Sequence, residues 1–155
     1  MASWQQVVDS APEFAGRVQQ MFDARVHKTM ATLRKDGSPR ISGIECEFKD
    51  GQLRFGSMKG TMKSLDLKRD PRLALHGPSN DPPSDPLQWP GEAKITGRAI
   101  EITNEAEAAS AETHDAHSYV IDVSEVVLTR VGGMDHLVIE QWYEGRGLVT
   151  SKRYN

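Results

Sequence analysis

The segment Phe55-Gly56-Ser57-Met58-Lys59-Gly60-Thr61-Met62-Lys63 places hydroxyls, glycines and lysines where an apolar alternation gives way to a helical pattern. The first turn of a helix exposes backbone N–H groups that have no intrahelical acceptor, and it carries partial positive charge. A lysine there is electrostatically misplaced by about 0.3–1 kcal/mol, and a bound anion would remove the conflict. The local pattern admits two readings. In one, Ser57 and Thr61 cap a helix and Lys63 is solvated; in the other, the amides, both hydroxyls and the Lys63 ammonium form a phosphate cradle. Residues 54–72 carry Arg54, Lys59, Lys63, Lys68, Arg69 and Arg72 against Asp66 and Asp70, within a chain of net charge −3. This short basic stretch in an acidic protein suits a small anionic ligand better than a long polyanion. Nucleic acid is not expected as a partner, because the middle strands offer only Phe48 and Phe55 for base stacking.

Other reactive side chains are sparse. The single cysteine, Cys46, cannot form an internal disulfide, and the alternation Ile44-Glu45-Cys46-Glu47-Phe48 makes it a packed or partly exposed strand thiol rather than a nucleophile. The five histidines are scattered. His114 and His117 flank Asp115 at i, i+3 spacing, but with no third ligand in sight they read as a solvated helix end, and no metal is expected.

The elements that position these residues follow from periodicity. A chain of 155 residues is a single-domain length. Apolar residues from Trp4 to Phe22 recur at helical spacing with a break at Pro12, so residues 1–25 form a helical region. Strand alternation then runs over 26–33, 40–48 and 53–57, with turns at Lys35-Asp36-Gly37-Ser38-Pro39 and Asp50-Gly51, an antiparallel meander. Thr61 caps a short helix ending at Asp70-Pro71, with Leu65 and Leu67 as its packing residues. A strand at 72–76 leads to residues 77–91, whose five prolines and two glycines make a surface loop. Strand patterns return at 92–102, 119–131, 137–143 and 148–154, and an alanine- and glutamate-rich helix is expected over 104–113. Strands with regular turns and only peripheral helices predict a mainly β fold, an antiparallel barrel of six to eight strands. The N-terminus lacks a basic region followed by an apolar run, and no stretch approaches a membrane span, so a cytoplasmic protein without a membrane partner is expected.

Residues 26–103 resemble the flavin-binding split barrels of the pyridoxamine 5′-phosphate oxidase-like superfamily. In those proteins a Phe-Tyr-Thr strand end leads to a Ser-Arg-Lys helix start; here the stretch reads Phe55-Gly56-Ser57 and Thr61-Met62-Lys63. The resemblance implies a Greek-key split barrel, phosphate contacts from Ser57, Thr61 and Lys63, and Met62 in place of an arginine, one phosphate ligand fewer. Arg40 matches the arginine that starts the strand beside the flavin. Gly91-Glu92-Ala93-Lys94-Ile95-Thr96-Gly97 is similar to Arg-Gln-Val-Arg-Ile-Glu-Gly, with Glu92 in place of a ring-contacting glutamine. An ionised carboxylate accepts but cannot donate a hydrogen bond, so that contact must differ. Glu140-Gln141-Trp142-Tyr143-Glu144-Gly145-Arg146 looks like Glu-Phe-Trp-Gln-Gly-Arg, which implies that Trp142 and the later Arg153 reach a neighbouring chain's cofactor in a homodimer.

The oxidases' tail, Arg-Leu-His-Asp-Arg, holds their pyridoxal substrate, whereas here the stretch is Leu148-Val149-Thr150-Ser151-Lys152-Arg153. Vitamin-B6 oxidase activity is therefore not expected. What the resemblance implies is an oxidoreductase using flavin mononucleotide (FMN), or alternatively a deazaflavin coenzyme, on a small organic substrate, with the ring carrying the redox chemistry and no catalytic side chain. Two other readings remain: a non-catalytic flavin-binding or storage protein, and a haem-binding relative using His27 or His76 as axial ligand.

Overall fold

A computed structural model of the chain describes residues 2–102 and 116–155. Two helices open it, α1 (Trp4–Ser10) and α2 (Pro12–Asp23), separated at the proline that starts the second. The meander follows as β1 (His27–Leu33), β2 (Pro39–Lys49) and β3 (Gln52–Met58), then α3 (Met62–Arg69) and β4 (Arg72–His76). A 3₁₀ turn at Pro86–Gln88 interrupts the proline-rich loop before β5 (Glu92–Glu101). The remaining strands are β6 (Ala116–Gly133), β7 (His136–Tyr143) and β8 (Gly147–Tyr154). The helix expected over 104–113, and His114, lie outside the described residues.

The strand order is β3-β2-β1-β4-β5-β6-β7-β8, and β3 also pairs with β6. Six strands therefore close into an antiparallel barrel, and β7 and β8 extend from it. The order of the first four, with β4 returning beside β1, is a Greek key. The β2–β3 register is set by a two-residue turn in which Asp50 and Gly51 both have positive φ, 53° and 72°, the conformation that matches the right-handed twist of a hairpin. In β5 the register shifts between Thr96 and Gly97. A side chain at Gly97 would lie 2.2 Å from the Asp122 carbonyl oxygen, so the close approach to β6 requires glycine.

Alternating residues of the strands fill the barrel with Met30, Leu53, Leu75, Ile95, Ile121 and Val123, all at most 1% exposed. Phe14, Ala15, Val18 and Phe22 of α2 lie on one helical face, and all are buried with Trp4 and Val7 of α1. The two helices meet the barrel at the end of β2, where Phe48 contacts Trp4 and Phe22 at ring-centroid distances of 4.7 and 6.1 Å. A bidentate pair fixes α2 to β7: Arg17 donates to both oxygens of the buried Glu140 at 2.8 Å.

The other helix, α3, packs differently from its sequence pattern. Leu67 is buried as expected, but Leu65 is 48% exposed, and the inward residues are Ser64, Asp66 and Leu67. The reason is electrostatic. The Asp66 carboxylate, 1% exposed, accepts from Thr32 Oγ1 of β1 and Arg40 Nε of β2, each at 2.7 Å, and from Arg69 at 3.1 Å. Turning Asp66 inward swings Leu65, one residue and about 100° away, to the surface. Burial alone would raise the Asp66 pKa, yet hydrogen bonds from Arg40, Thr32 and Arg69 together with the Arg40 charge hold it below the ordinary carboxylate value.

A depressed carboxylate pKa stabilises the fold above the unfolded value, 3.8 here, and that contribution is lost as pH falls through the lowered folded value. Asp66→Asn should cost about 3–5 kcal/mol at neutral pH, because it strands Arg40 without a counter-charge. It should also flatten the acid loss of stability below about pH 4. Urea unfolding across the acid range, read for both proteins, measures both effects.

Candidate functional site

The pairing of β2 changes sides along its length. Among the described residues, 39–45 of β2 pair in the sheet only with β1, whereas Cys46–Lys49 pair with Phe55–Gln52 of β3. Beyond Phe55, β3 leaves β2 and runs with β6, pairing Ser57 with His117 and Met58 with Ala116. The first half of β2 is consequently an open edge, and α3 begins beside it. Lys63 Nζ donates to the Gly43 carbonyl at 3.1 Å, which shows that the polar groups of Gly43 point away from β1. Antiparallel alternation turns those of Ile41 and Glu45 the same way. Gly43 itself has ordinary backbone geometry, and a Cβ there would meet no atom within 4 Å. Neither a turn nor packing requires glycine at this point of a strand, where it weakens the sheet; it leaves the strand surface bare there.

At the other wall, Ser57, Thr61 and Ser64 form a closed ring of hydroxyls. Ser57 and Thr61 share a hydrogen bond of 2.9 Å, Thr61 donates to Ser64 at 3.1 Å, and Ser64 donates to Ser57 at 2.8 Å. Thr61 Oγ1 caps the helix by accepting the Ser64 amide at 3.3 Å; the Met62 and Lys63 amides, in the same first turn, have no intrahelical acceptor. Among the described residues no carboxylate lies within ion-pair distance of Lys63. An ammonium without a counter-ion, free helix amides and mutually satisfied hydroxyls are a donor set that fits a phosphate.

The structure thus gathers five of the residues singled out in the sequence, Arg40, Ser57, Thr61, Met62 and Lys63, at one slot between β2 and α3. Arg40 is 16% exposed in its side chain and is committed through Nε to Asp66. Met62 is 54% exposed at the slot's mouth. The other three lie elsewhere in the chain. Glu92 starts β5, three strands or about 14 Å from β2, and contacts His76 Nε2 and Lys94 Nζ, each at 3.3 Å. Trp142 is 4% exposed and spends its indole N–H on Ser10 Oγ of α1 at 3.1 Å, which makes it a core residue of its own chain. Arg153 is exposed on β8, the edge strand. Of the histidines, His27 is exposed beside Glu45, while His76 holds Gly77 O through Nδ1 at 2.6 Å. His117 bonds Glu101 at 2.6 Å. No group of three or more His, Cys, Asp or Glu that could hold a metal occurs among the described residues, and none of their helices is long and apolar enough to cross a membrane.

Sequence reading missed Gly43 and Ser64. Gly43 carries a signal in retrospect, since a glycine inside an alternating strand without a bulge needs a reason. Ser64 is an ordinary helix residue until Ser57 and Thr61 are brought against it. Tyr119 was also not singled out. Its ring stacks on Phe55 at 4.8 Å, and burial, with the Glu101 charge, holds its phenol above the ordinary pKa despite a hydrogen bond with Ser64.

The pyridoxamine 5′-phosphate oxidase family model matches residues 15–134. The chain belongs to that family. Solved structures share the family's barrel at low identity. A pyridoxamine 5′-phosphate oxidase-related, FMN-binding protein from Nostoc punctiforme aligns over 100% of this chain and 98% of its own, with 9% identity and a TM-score of 0.64. PhzG from Burkholderia lata, in complex with tetrahydrophenazine-1-carboxylic acid, aligns over 98% and 89%, with 13% identity and a TM-score of 0.64. An F420 reductase aligns over 70% and 94%, with 17% identity and a TM-score of 0.54. No curated protein sequence matches significantly. In this family setting the slot is the feature to examine for a cofactor.

Cys46, at the point where β2 turns to β3, tests whether any thiol chemistry belongs to the site. Burial pushes its pKa up to about 11, with the nearby Lys28 charge opposing. At pH 8 only about one molecule in a thousand then carries the thiolate, the reactive form. Native Cys46 should react with iodoacetamide at least about tenfold more slowly than the same thiol in urea, where its pKa returns to about 8.5. Mass spectrometry of timed quenches measures the ratio.

Proposed function

We propose that this protein binds FMN in the slot between β2 and α3 and acts as an oxidoreductase on a small organic molecule, as a cytoplasmic homodimer. The observation that carries the reading is the open β2 edge lying beside the start of α3. It offers backbone donors and acceptors at Ile41, Gly43 and Glu45 to the polar edge of a ring, next to a phosphate-type donor set. Ser57, Thr61 and Ser64 would exchange their mutual hydrogen bonds for phosphate oxygens, and Lys63 would move from the Gly43 carbonyl to the phosphate, releasing that carbonyl. Arg40, held by Asp66, adds positive charge at a fixed position. The bound flavin would supply hydride or electron transfer. Gly43 admits the ring against the strand, and the protonated Tyr119 phenol keeps negative charge away from the Phe55 side.

The FMN-binding relative from Nostoc supports the cofactor class, and the F420 reductase supports a deazaflavin as the alternative. Both would use the same slot, because a phosphate and a ring with a donor–acceptor edge are all that it selects. Ile41, Met58 and Met62, exposed at 75, 73 and 54% around the slot, support a second copy of the chain as its cover. Arg153 on the edge strand is free to take part from that copy.

The test is a titration of apoprotein with FMN, riboflavin and the deazaflavin coenzyme, followed by fluorescence. Lys63→Ala should weaken FMN about tenfold or more, the loss of one charge-assisted hydrogen bond, and leave riboflavin unchanged. Gly43→Val should weaken both FMN and riboflavin while leaving the melting temperature equal or higher. Equal FMN affinity in wild type and both variants would place any cofactor elsewhere.

A further inference from the structure

The hydroxyl ring at the start of α3 can be followed proton by proton. Each serine or threonine hydroxyl carries one proton and accepts through two lone pairs. Ser64 Oγ gives its proton to Ser57 Oγ at 2.8 Å, with the Met58 carbonyl as a longer second acceptor at 3.3 Å. Thr61 spends its one proton on Ser64 at 3.1 Å, so across the 2.9 Å contact between Ser57 and Thr61 it is the serine that donates. The three bonds run head to tail, and every proton stays inside the ring. Ser57 and Ser64 are only 4 and 5% exposed, so solvent offers little replacement for a partner lost.

An anion bound beside α3 would draw protons out of this ring. Thr61 Oγ1 keeps an inner donor when that happens, the Ser64 amide at 3.3 Å. Ser64 Oγ loses its donor, Thr61, and a buried oxygen without a partner costs free energy. Tyr119 supplies the replacement. Its buried phenol hydrogen-bonds Ser64, and because the single Ser64 proton is committed to Ser57, the phenol is the donor of that bond.

The phenol is mounted on the barrel rather than on the helix. Tyr119 of β6 stands in register with Phe55 of β3, and the two rings stack at 4.8 Å with 15° between their planes. Ser57 follows two residues further along β3. A donor fixed to two paired strands therefore feeds a hydroxyl of α3, and a donor at the head of a hydrogen-bond chain also polarises the hydroxyls after it.

We propose that Tyr119 is a positioning residue of the anion site: it gives Ser64 a donor that does not depend on the ring, so that the ring's protons can turn to a phosphate without stranding a buried oxygen. The direction of the chain stands on the hydrogen bonds of the ring. That the phosphate belongs to FMN rests on the cofactor reading above.

Tyr119→Phe removes the phenolic oxygen and keeps the ring on Phe55. By fluorescence titration it should bind FMN about three- to tenfold more weakly than wild type, the loss of one neutral hydrogen bond. Riboflavin affinity should not change, which separates positioning of the phosphate end from a general loosening of the barrel wall. Ser64→Ala, which removes the acceptor instead of the donor, should also weaken FMN and spare riboflavin, and adding Tyr119→Phe to it should cost nothing further. Inorganic phosphate, followed by ¹⁵N amide shifts of Met62, Lys63 and Ser64 in the full-length apoprotein, should show the same order of affinities; well-dispersed spectra establish that the variants fold. Equal FMN and phosphate binding in wild type and Tyr119→Phe, a parallel loss of riboflavin, or a loss that persists undiminished in the Ser64→Ala protein would overturn the role of Tyr119 and leave the cofactor reading standing. Phosphate binding that depends on Tyr119 in a protein that ignores FMN would keep the role and remove the cofactor reading. Binding of neither would remove both.

Discussion

The buried carboxylate of Asp66 is the constraint on which the site depends. It ties its own helix, α3, to the paired strands β1 and β2 through Thr32 and Thr32's register partner Arg40, where no ladder joins helix to sheet. A helix laid over a barrel by apolar contacts alone can slide or rotate by fractions of a turn at little cost. A carboxylate that must satisfy an arginine and a hydroxyl at 2.7 Å cannot. The network fixes the rotation of α3, turns Leu65 to the surface, and points the first turn, with Thr61 and Lys63, at the open half of β2. Much of its energetic return is therefore orientation, because the favourable pairing is largely offset by the desolvation of two opposite charges.

Opening the barrel between β2 and β3 has a cost as well, since unpaired strand groups need partners. The chain meets it in two ways. Lys63 caps the Gly43 carbonyl, and the exchange of β3 from β2 to β6 lets Arg54–Met58 keep a ladder after β2 has been left. The split is thus a controlled discontinuity in an otherwise closed sheet, and the core strands around Ile95, Ile121 and Val123 are untouched by it. A rigid barrel carrying one unpaired strand segment is well suited to a ligand that is recognised by backbone rather than by a particular set of side chains.

This division explains what was legible in the sequence. Strand alternation, the Asp50-Gly51 turn and the break at Pro12 are local signals, and the elements they marked are present within a residue or two, except that β6 starts three residues earlier, at Ala116. The Greek key and the barrel followed from the family resemblance and the even spacing of turns. At the candidate site, the meeting of Ser57, Thr61 and Lys63 was readable because a lysine in a first helical turn conflicts with local electrostatics. Arg40 was readable only as a match to a motif; its bond to Asp66 spans 26 positions, and no periodicity announces it. Trp142 illustrates the opposite limit. Its motif suggested a reach toward a neighbour, but an aromatic at an inward strand position with Ser10 at hand is captured by its own core. Leu65 failed for the same kind of reason, because helical amphipathicity assumes that the inward face is apolar, and here that face is built around a carboxylate.

The same logic limits what the slot by itself could select. Backbone groups at Ile41, Gly43 and Glu45 offer the same donors and acceptors whatever their side chains, and a phosphate cradle reads only charge and shape. On the proposed reading, selection of a substrate would fall to side chains near the ring end of the slot, where β2 meets β3. There Glu47 and Arg54 stand directly opposite one another, and both line a cavity shared with Lys28, Cys46 and Tyr119. A barrel that held a cofactor through features many sequences can supply would carry the residues that distinguish one member from another among such side chains. There a single change of side-chain charge would alter the surroundings of a bound ring without touching the backbone groups or the hydroxyl ring of the slot.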